Sequence, residues 1–244
     1  MKVGGRAVLS SEPEPAKRTR RRRGLLGWLL LLPFILIGIC LGLILLYRLV
    51  QPPITPLMLL RLGEGEGIDH RPVPLSQIAL PLQKAVIASE DNRFCQHHGI
   101  DWQAVNSAID EHEEGGRLRG ASTITMQTAR NLFLWPGGGY PRKAVEGGLA
   151  LTLDALWPKR RIMAVYLNAI EWGNGVYGAE AAAELYFKTS AARLTRGQAA
   201  LMAAVLPNPR RWSPARPTGY IEERARSIET RMDQLEGSYY DCLR

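Results

Sequence analysis

Hydrophobic and polar positions divide the chain into one unbroken apolar run followed by a series of helix-period segments. The run, GLLGWLLLLPFILIGICLGLILLY at 24–47, holds 24 residues without a charge. At about 1.5 Å per residue it reaches roughly 36 Å as a helix, enough to cross ~30 Å of hydrocarbon. Pro33 lies inside it, and lipid-spanning helices tolerate such a kink. A secretory signal peptide would have a shorter apolar region ending in a small-residue cleavage site. This segment runs on into YRLVQPP with no Ala-x-Ala, which favours a retained transmembrane helix over 24–50. Residues 51–74 are rich in Pro and Gly around GEGEG and read as a linker.

From 75 to 244 the helical period dominates, with no internal repeat and no convincing alternating strand. Pro81 suits a first turn, after which Leu82, Val86 and Glu90 share one face at i, i+4 and i+8. Asp101 can cap WQAVNSAIDEHEE with Trp102, Val105 and Ile109 inward, and Gly115 and Gly116 stop it. Ser122 can cap TITMQTARNLFL. A long helix is expected over 142–157, another after Pro158, and another over 178–187. Residues 195–206 open with a Thr-x-x-Gln capping box and stop at Pro207. Ile221, Ala225, Ile228, Met232 and Leu235 mark the inward face of a last helix. The pattern predicts one mainly α domain, 75–244, on a single N-terminal anchor.

Charge changes this picture less than its size suggests. The net charge is +8, but residues 1–23 hold eight Lys/Arg and two Glu and so carry +6 of it. The excess is a local tail ending in KRTRRRR, and nucleic acid is not an expected partner. Arg clustered before an apolar span keeps that end in the cytoplasm, leaving the domain outside. The three cysteines, Cys40, Cys95 and Cys242, are odd in number and scattered. They suggest no disulfide framework, so the core is expected to hold by burial alone.

Two local oddities point to chemistry. In AVIASEDNRFCQHHG, 85–99, Glu90 closes an apolar face at a helix C-terminus, where the dipole disfavours a carboxylate. Desolvation there would raise its pKa toward what a general base needs; the plainer reading is a solvated helix end. The 142–157 helix opens with Arg142 and Lys143, where the dipole prefers anions. A bound anion would explain them, and so would an exposed charge pair with Glu146 one turn on. HEE at 112–114 lacks the second His of a zinc site, and no metal-ligand spacing is present.

The segments EDNRFCQHHG, GASTITMQTARNL, RKAVE, KRRIMAVYLN and AAAELYFK occur in this order and spacing. In them the chain resembles the peptidoglycan glycosyltransferases (transglycosylases, glycosyltransferase family 51). It looks most like the monofunctional biosynthetic type, and AAVLPNPRRWSPARP at 203–217 is similar to that subgroup too. The resemblance implies a lysozyme-like helical domain in the bacterial inner membrane, facing the periplasm. It implies an inverting transfer that polymerises lipid II into β-1,4 glycan strands and releases undecaprenyl pyrophosphate.

By the same resemblance Glu90 is the general base and Glu146 the second functional carboxylate. Arg130, Arg142 and Lys143 meet the pyrophosphate. Asp91, Ser122, Thr123 and Gln127 serve the substrate cleft, and His97 has a structural role bonding nearby backbone. LFLWPGGGYP at 132–141 is expected as a mobile segment touching the bilayer, or else as a loop with a buried Leu-Phe stub. No cofactor is required, although Mg²⁺ or Mn²⁺ could bridge pyrophosphate and carboxylate. Lipid II, the nascent strand and the membrane are the expected partners, with wall-synthesis or division proteins besides. The chain departs from the family's usual residues at Met126, Arg130, Ala164 and Gln198. Met126 would remove a cleft hydrogen bond, and Ala164 would leave a buried cation without its partner. A lysozyme-like glycan-cleaving enzyme and an inactive membrane-anchored scaffold are the alternatives.

Overall fold

The computed structural model describes residues 19–116 and 120–243. Most of the basic tail therefore lies outside the described residues. The chain divides into two compact units, Met1–Leu43 and Ile44–Arg244. Helix α1, Thr19–Tyr47, supplies the first unit with one long helix containing Pro33. Within it Leu30–Tyr47 has a mean hydropathy of 2.8, long and apolar enough to cross a membrane. Trp28, Phe34 and Leu36 stand exposed, unlike the side chains of a soluble core helix.

The second unit begins in the last turn of α1, earlier than the sequence suggested. Ile44 is fully buried, and its carbonyl accepts the Trp157 indole at 2.9 Å. The expected linker is part of this unit rather than a free tether. It carries α2, Pro56–Gly63, with Thr55 capping the Met58 amide and Met58 buried. It also carries β1, Asp69–His70. Thr-Pro before an apolar stretch is a helix-start signal that the Gly-rich composition around it obscured.

The remaining helices are α3 (Leu80–Glu90), α4 (Trp102–Glu113), α5 (Ile124–Phe133), α6 (Gly139–Leu156), α7 (Lys159–Ala169), α8 (Ala179–Phe187), α9 (Arg196–Val205) and α10 (Gly219–Gln234). α9 buries Ala199, Ala200, Ala203 and Ala204, side chains small enough for α3 and α10 to approach closely on either side. α5 packs on α6 and α7, with Ile124, Ala129, Ile162 and Tyr166 in the shared core. β2 (Glu171–Gly173) and β3 (Val176–Tyr177) form a hairpin, and β1 joins β3 in parallel to give the order β1-β3-β2. Strands of two or three residues are too short for alternation to reveal.

Three helix readings change. α4 keeps Trp102 and Ile109 exposed and buries Ala108 instead, so it lies along the surface. Thr123, not Ser122, caps α5 by accepting from the Met126 amide at 3.1 Å. α6 begins at Gly139, so Arg142 and Lys143 lie one turn inside it rather than at its free N–H end. The cysteine reading is overturned: Cys95 and Cys242 form a disulfide across a separation of 147 residues. It staples the tail to the loop after α3, and burial is therefore not the only thing holding the core.

Candidate active site

Glu90 is the last residue of α3, set there by the apolar face of Leu82 and Val86, both fully buried. Burial raises its pKa against a lowering by the Gln127 hydrogen bond and by Arg224 and Arg130, with Asp91 adding to the rise. Gln127 Nε2, from α5, donates to Glu90 Oε2 at 3.0 Å. The Tyr166 hydroxyl, from α7, donates to Gln127 Oε1 at 3.1 Å. The carboxylate that the α3 dipole disfavours is thus held from two other helices.

Asp91 solves the same problem differently. It leaves the C-terminus of α3 and enters the N-terminus of α5, where the dipole favours it and the Ile124 amide donates at 2.9 Å. His97 Nε2 lies 3.0 Å from both Asp91 oxygens. The expected backbone partner of His97 is therefore a carboxylate, and its Nδ1 is buried without a partner. His98 turns outward and is almost wholly exposed.

Glu90, Asp91, Ser122 and Thr123 line one cavity of about 170 Å³, together with Asp101 and Arg231. Thr123 serves the backbone as well as the cavity wall, donating to the Gly99 carbonyl at 2.6 Å. Ser122 Oγ accepts from Lys143 Nζ at 2.6 Å, and Lys143 Nζ reaches Glu146 Oε1 at 2.7 Å. Arg142 bonds the other Glu146 oxygen. The Glu146 side chain is 0% exposed, so two cations compensate one fully buried carboxylate and leave net positive charge. Lys143, 37% exposed, carries that charge to the surface.

A second cavity, of about 210 Å³, is lined by Arg61, Arg130, Asn131, Arg142 and Glu171. Arg130 makes no ion pair among the described residues, and the Arg142 Nε is buried without a partner. The site thus joins an acid of raised pKa to a cationic wall through the Ser122–Lys143 bond on one side, and on the other through a cavity that Gln127 and Arg130 both line. A larger cavity of about 630 Å³ beside Lys84, Arg196 and Tyr240 holds none of these residues.

Sequence reasoning gave no role to Arg61, Tyr166, Glu171, Arg224 or Arg231. Arg61 lies in the expected linker, and Arg224 and Arg231 lie off the inward face assigned to the last helix. In the 132–141 segment Leu132 and Leu134 are buried and Phe133 stacks on Tyr47, while Trp135 and Tyr140 stand exposed. The buried Leu132 and Leu134 fit the reading of a loop with an apolar stub. Among the departures, Gln198 completes the Thr195 capping box. Met126 is buried, and its neighbour Gln127 keeps the hydrogen bond to Glu90. Arg161, one turn before Ala164, bonds the Tyr47 and Val50 carbonyls and the Gln51 side chain, so this cation has partners without a carboxylate at 164.

A family model described as Transglycosylase matches residues 59–233. Three relatives carry the name biosynthetic peptidoglycan transglycosylase. That of Rhodospirillum centenum is 61% identical over 187 residues, 76% of this chain and 81% of its own. That of Caulobacter vibrioides is 46% identical, covering 85% of this chain and 90% of its own. That of Ectopseudomonas mendocina is 46% identical, covering 91% of each. With a mainly α, lysozyme-like domain and most of its length matched, the chain belongs to the transglycosylase family.

Proposed function

We propose that the protein is a peptidoglycan glycosyltransferase that polymerises lipid II into β-1,4-linked glycan strands. Glu90 takes the proton from the acceptor's 4-hydroxyl, and that oxygen attacks the anomeric carbon of the lipid-linked donor strand. The bond from that carbon to the pyrophosphate breaks, α becomes β, and undecaprenyl pyrophosphate leaves. Arg142, Lys143 and Arg130 meet the charge that develops on the leaving group, and Glu146 orients the first two. Asp91, Ser122, Thr123 and Gln127 shape the acceptor side. The observation that carries the reading is the pairing of a buried carboxylate with an undercompensated cationic wall. Cleaving a glycan releases no pyrophosphate and leaves such a wall without a purpose.

Among the described residues no group of three His, Cys, Asp or Glu could hold a metal ion, and both Glu146 oxygens already meet cations. Mg²⁺ or Mn²⁺ held by the substrate pyrophosphate and one carboxylate would need no such group, and Arg142 and Lys143 supply charge of the same sign there. Single-pass residence in the inner membrane with a periplasmic domain is part of the proposal. The apolar helix and the basic run before it support that placement, as does a disulfide, which persists in oxidising compartments. Detergent-solubilised protein with labelled lipid II tests the activity. Polymer from wild type and none from Glu90→Gln is expected. Undiminished polymer from Glu90→Gln, or soluble muropeptides released from purified sacculi, would overturn it.

A further inference from the structure

A carboxylate base takes a proton at one oxygen, and its other oxygen remains free to accept a hydrogen bond. Gln127 occupies Glu90 Oε2 through its amide nitrogen. An amide can present either its oxygen or its nitrogen, and a protonated Glu90 would accommodate either. Tyr166 favours one of them: its hydroxyl donates to Gln127 Oε1, the arrangement that turns the nitrogen toward Glu90. Burial, reinforced by the nearby Glu90 and Asp91 charges, pushes the Tyr166 pKa far up, so it remains a donor throughout the working pH range. The ring is almost fully buried in α7, which lines none of the acceptor cavity; with Gln127 and Arg130 it borders a neighbouring cavity instead.

We propose that Tyr166 is a positioning residue for the general base. Acting through Gln127, it keeps Oε2 of Glu90 occupied and leaves Oε1 as the oxygen that takes the acceptor's proton. The inference rests on the reading of Glu90 as base. The other groups that set the field at Glu90 are Asp91 beside it, Arg130 from α5, and Arg224 from α10, with Arg231 of α10 lining the same cavity. A Tyr166→Phe change leaves all of them in place.

The test follows lipid II polymerisation against pH for Tyr166→Phe, Gln127→Met and the double variant, with melting temperatures in the same detergent. Freed of its anchor, the amide no longer stabilises the Glu90 charge. The acid limb of the rate profile then moves to higher pH by roughly 0.5–1 unit. kcat falls roughly tenfold while KM holds, because orientation and not binding is lost. The double variant matches the Gln127→Met single, since Tyr166 acts through Gln127. An unmoved acid limb in Tyr166→Phe overturns the proposal, whether that variant melts like wild type or far below it, and so do additive losses. Glu90→Gln separates the two readings. If it still polymerises, the base assignment falls. If it is inactive while Tyr166→Phe behaves as wild type, only the relay falls.

Discussion

Glu90 carries its charge where burial opposes it, and that opposition has a pH signature. Its folded pKa is raised, so between the unfolded carboxyl pKa, about 4.3, and the folded value the native state binds more protons. Stability therefore falls as pH rises through that window, the reverse of an ion-paired carboxylate. Glu90→Gln is expected to unfold at higher urea than wild type at about pH 8, and the gain should vanish near pH 3, where both are neutral. A lower midpoint at pH 8 would mean that Arg130 and Arg224 outweigh desolvation. Glu146 is held by ion pairs instead. Its carboxylate is fully buried against Arg142 and Lys143, and Glu146→Gln would leave both cations without compensation. Breaking a buried pair costs about 3–5 kcal/mol, and partial exposure of the cations reduces this to about 2–3 kcal/mol. Lys143→Ala leaves Arg142 on Glu146 and should cost clearly less. Equal midpoints for the two variants in urea would sink this account of the triad.

At the scale of elements, the site depends on α6 lying close to the loop after α3. Gly99 makes the approach possible, with φ of +79° and an added Cβ only 2.7 Å from the Ala150 carbonyl oxygen. That oxygen is helix backbone and cannot yield without moving α6, which carries Arg142, Lys143 and Glu146. Gly99→Ala should lower stability by about 2 kcal/mol or more and reduce polymerisation, read by melting and by the lipid II assay. Wild-type values in both would show that α6 adapts. This contact was invisible in the sequence, where Gly99 is only one more loop glycine. Helices with a continuous apolar face were legible: α3 through Leu82 and Val86, and α10 through Ile221, Ala225, Ile228 and Met232. α4 was not, because Trp102 and Ile109 hold the right spacing yet face solvent, and spacing does not say which face meets a core. Glu90, Arg142, Lys143 and Glu146 were legible as chemical oddities in their own elements. Tyr166, Arg61 and Arg231 join them only through tertiary packing.

Beyond single elements, the second unit is tied together by a bond that the family pattern does not reach. The family match ends at 233, and Cys242 lies beyond it. Reading three scattered cysteines as unpaired was sound arithmetic and wrong, because pairing is decided by where the tail lands. Three contacts bring it there besides the bond: Arg160 bonds the Leu243 carbonyl, Lys84 lies 4.7 Å over the Tyr240 ring, and Leu243 is buried. Closing a loop of 147 residues restricts the unfolded chain, by about 5 kcal/mol in the chain-entropy model and about 2–4 in common experience. Dithiothreitol should therefore lower the melting temperature of the wild type and leave a Cys95→Ser, Cys242→Ser protein unchanged at the lower value. Labelling checks the bond directly. Denatured without reductant, the chain should take up maleimide at Cys40 alone, and after reduction at all three cysteines. Three labels without reductant, from protein isolated with its membranes, would remove the disulfide and with it the strongest support for a domain folded in an oxidising space.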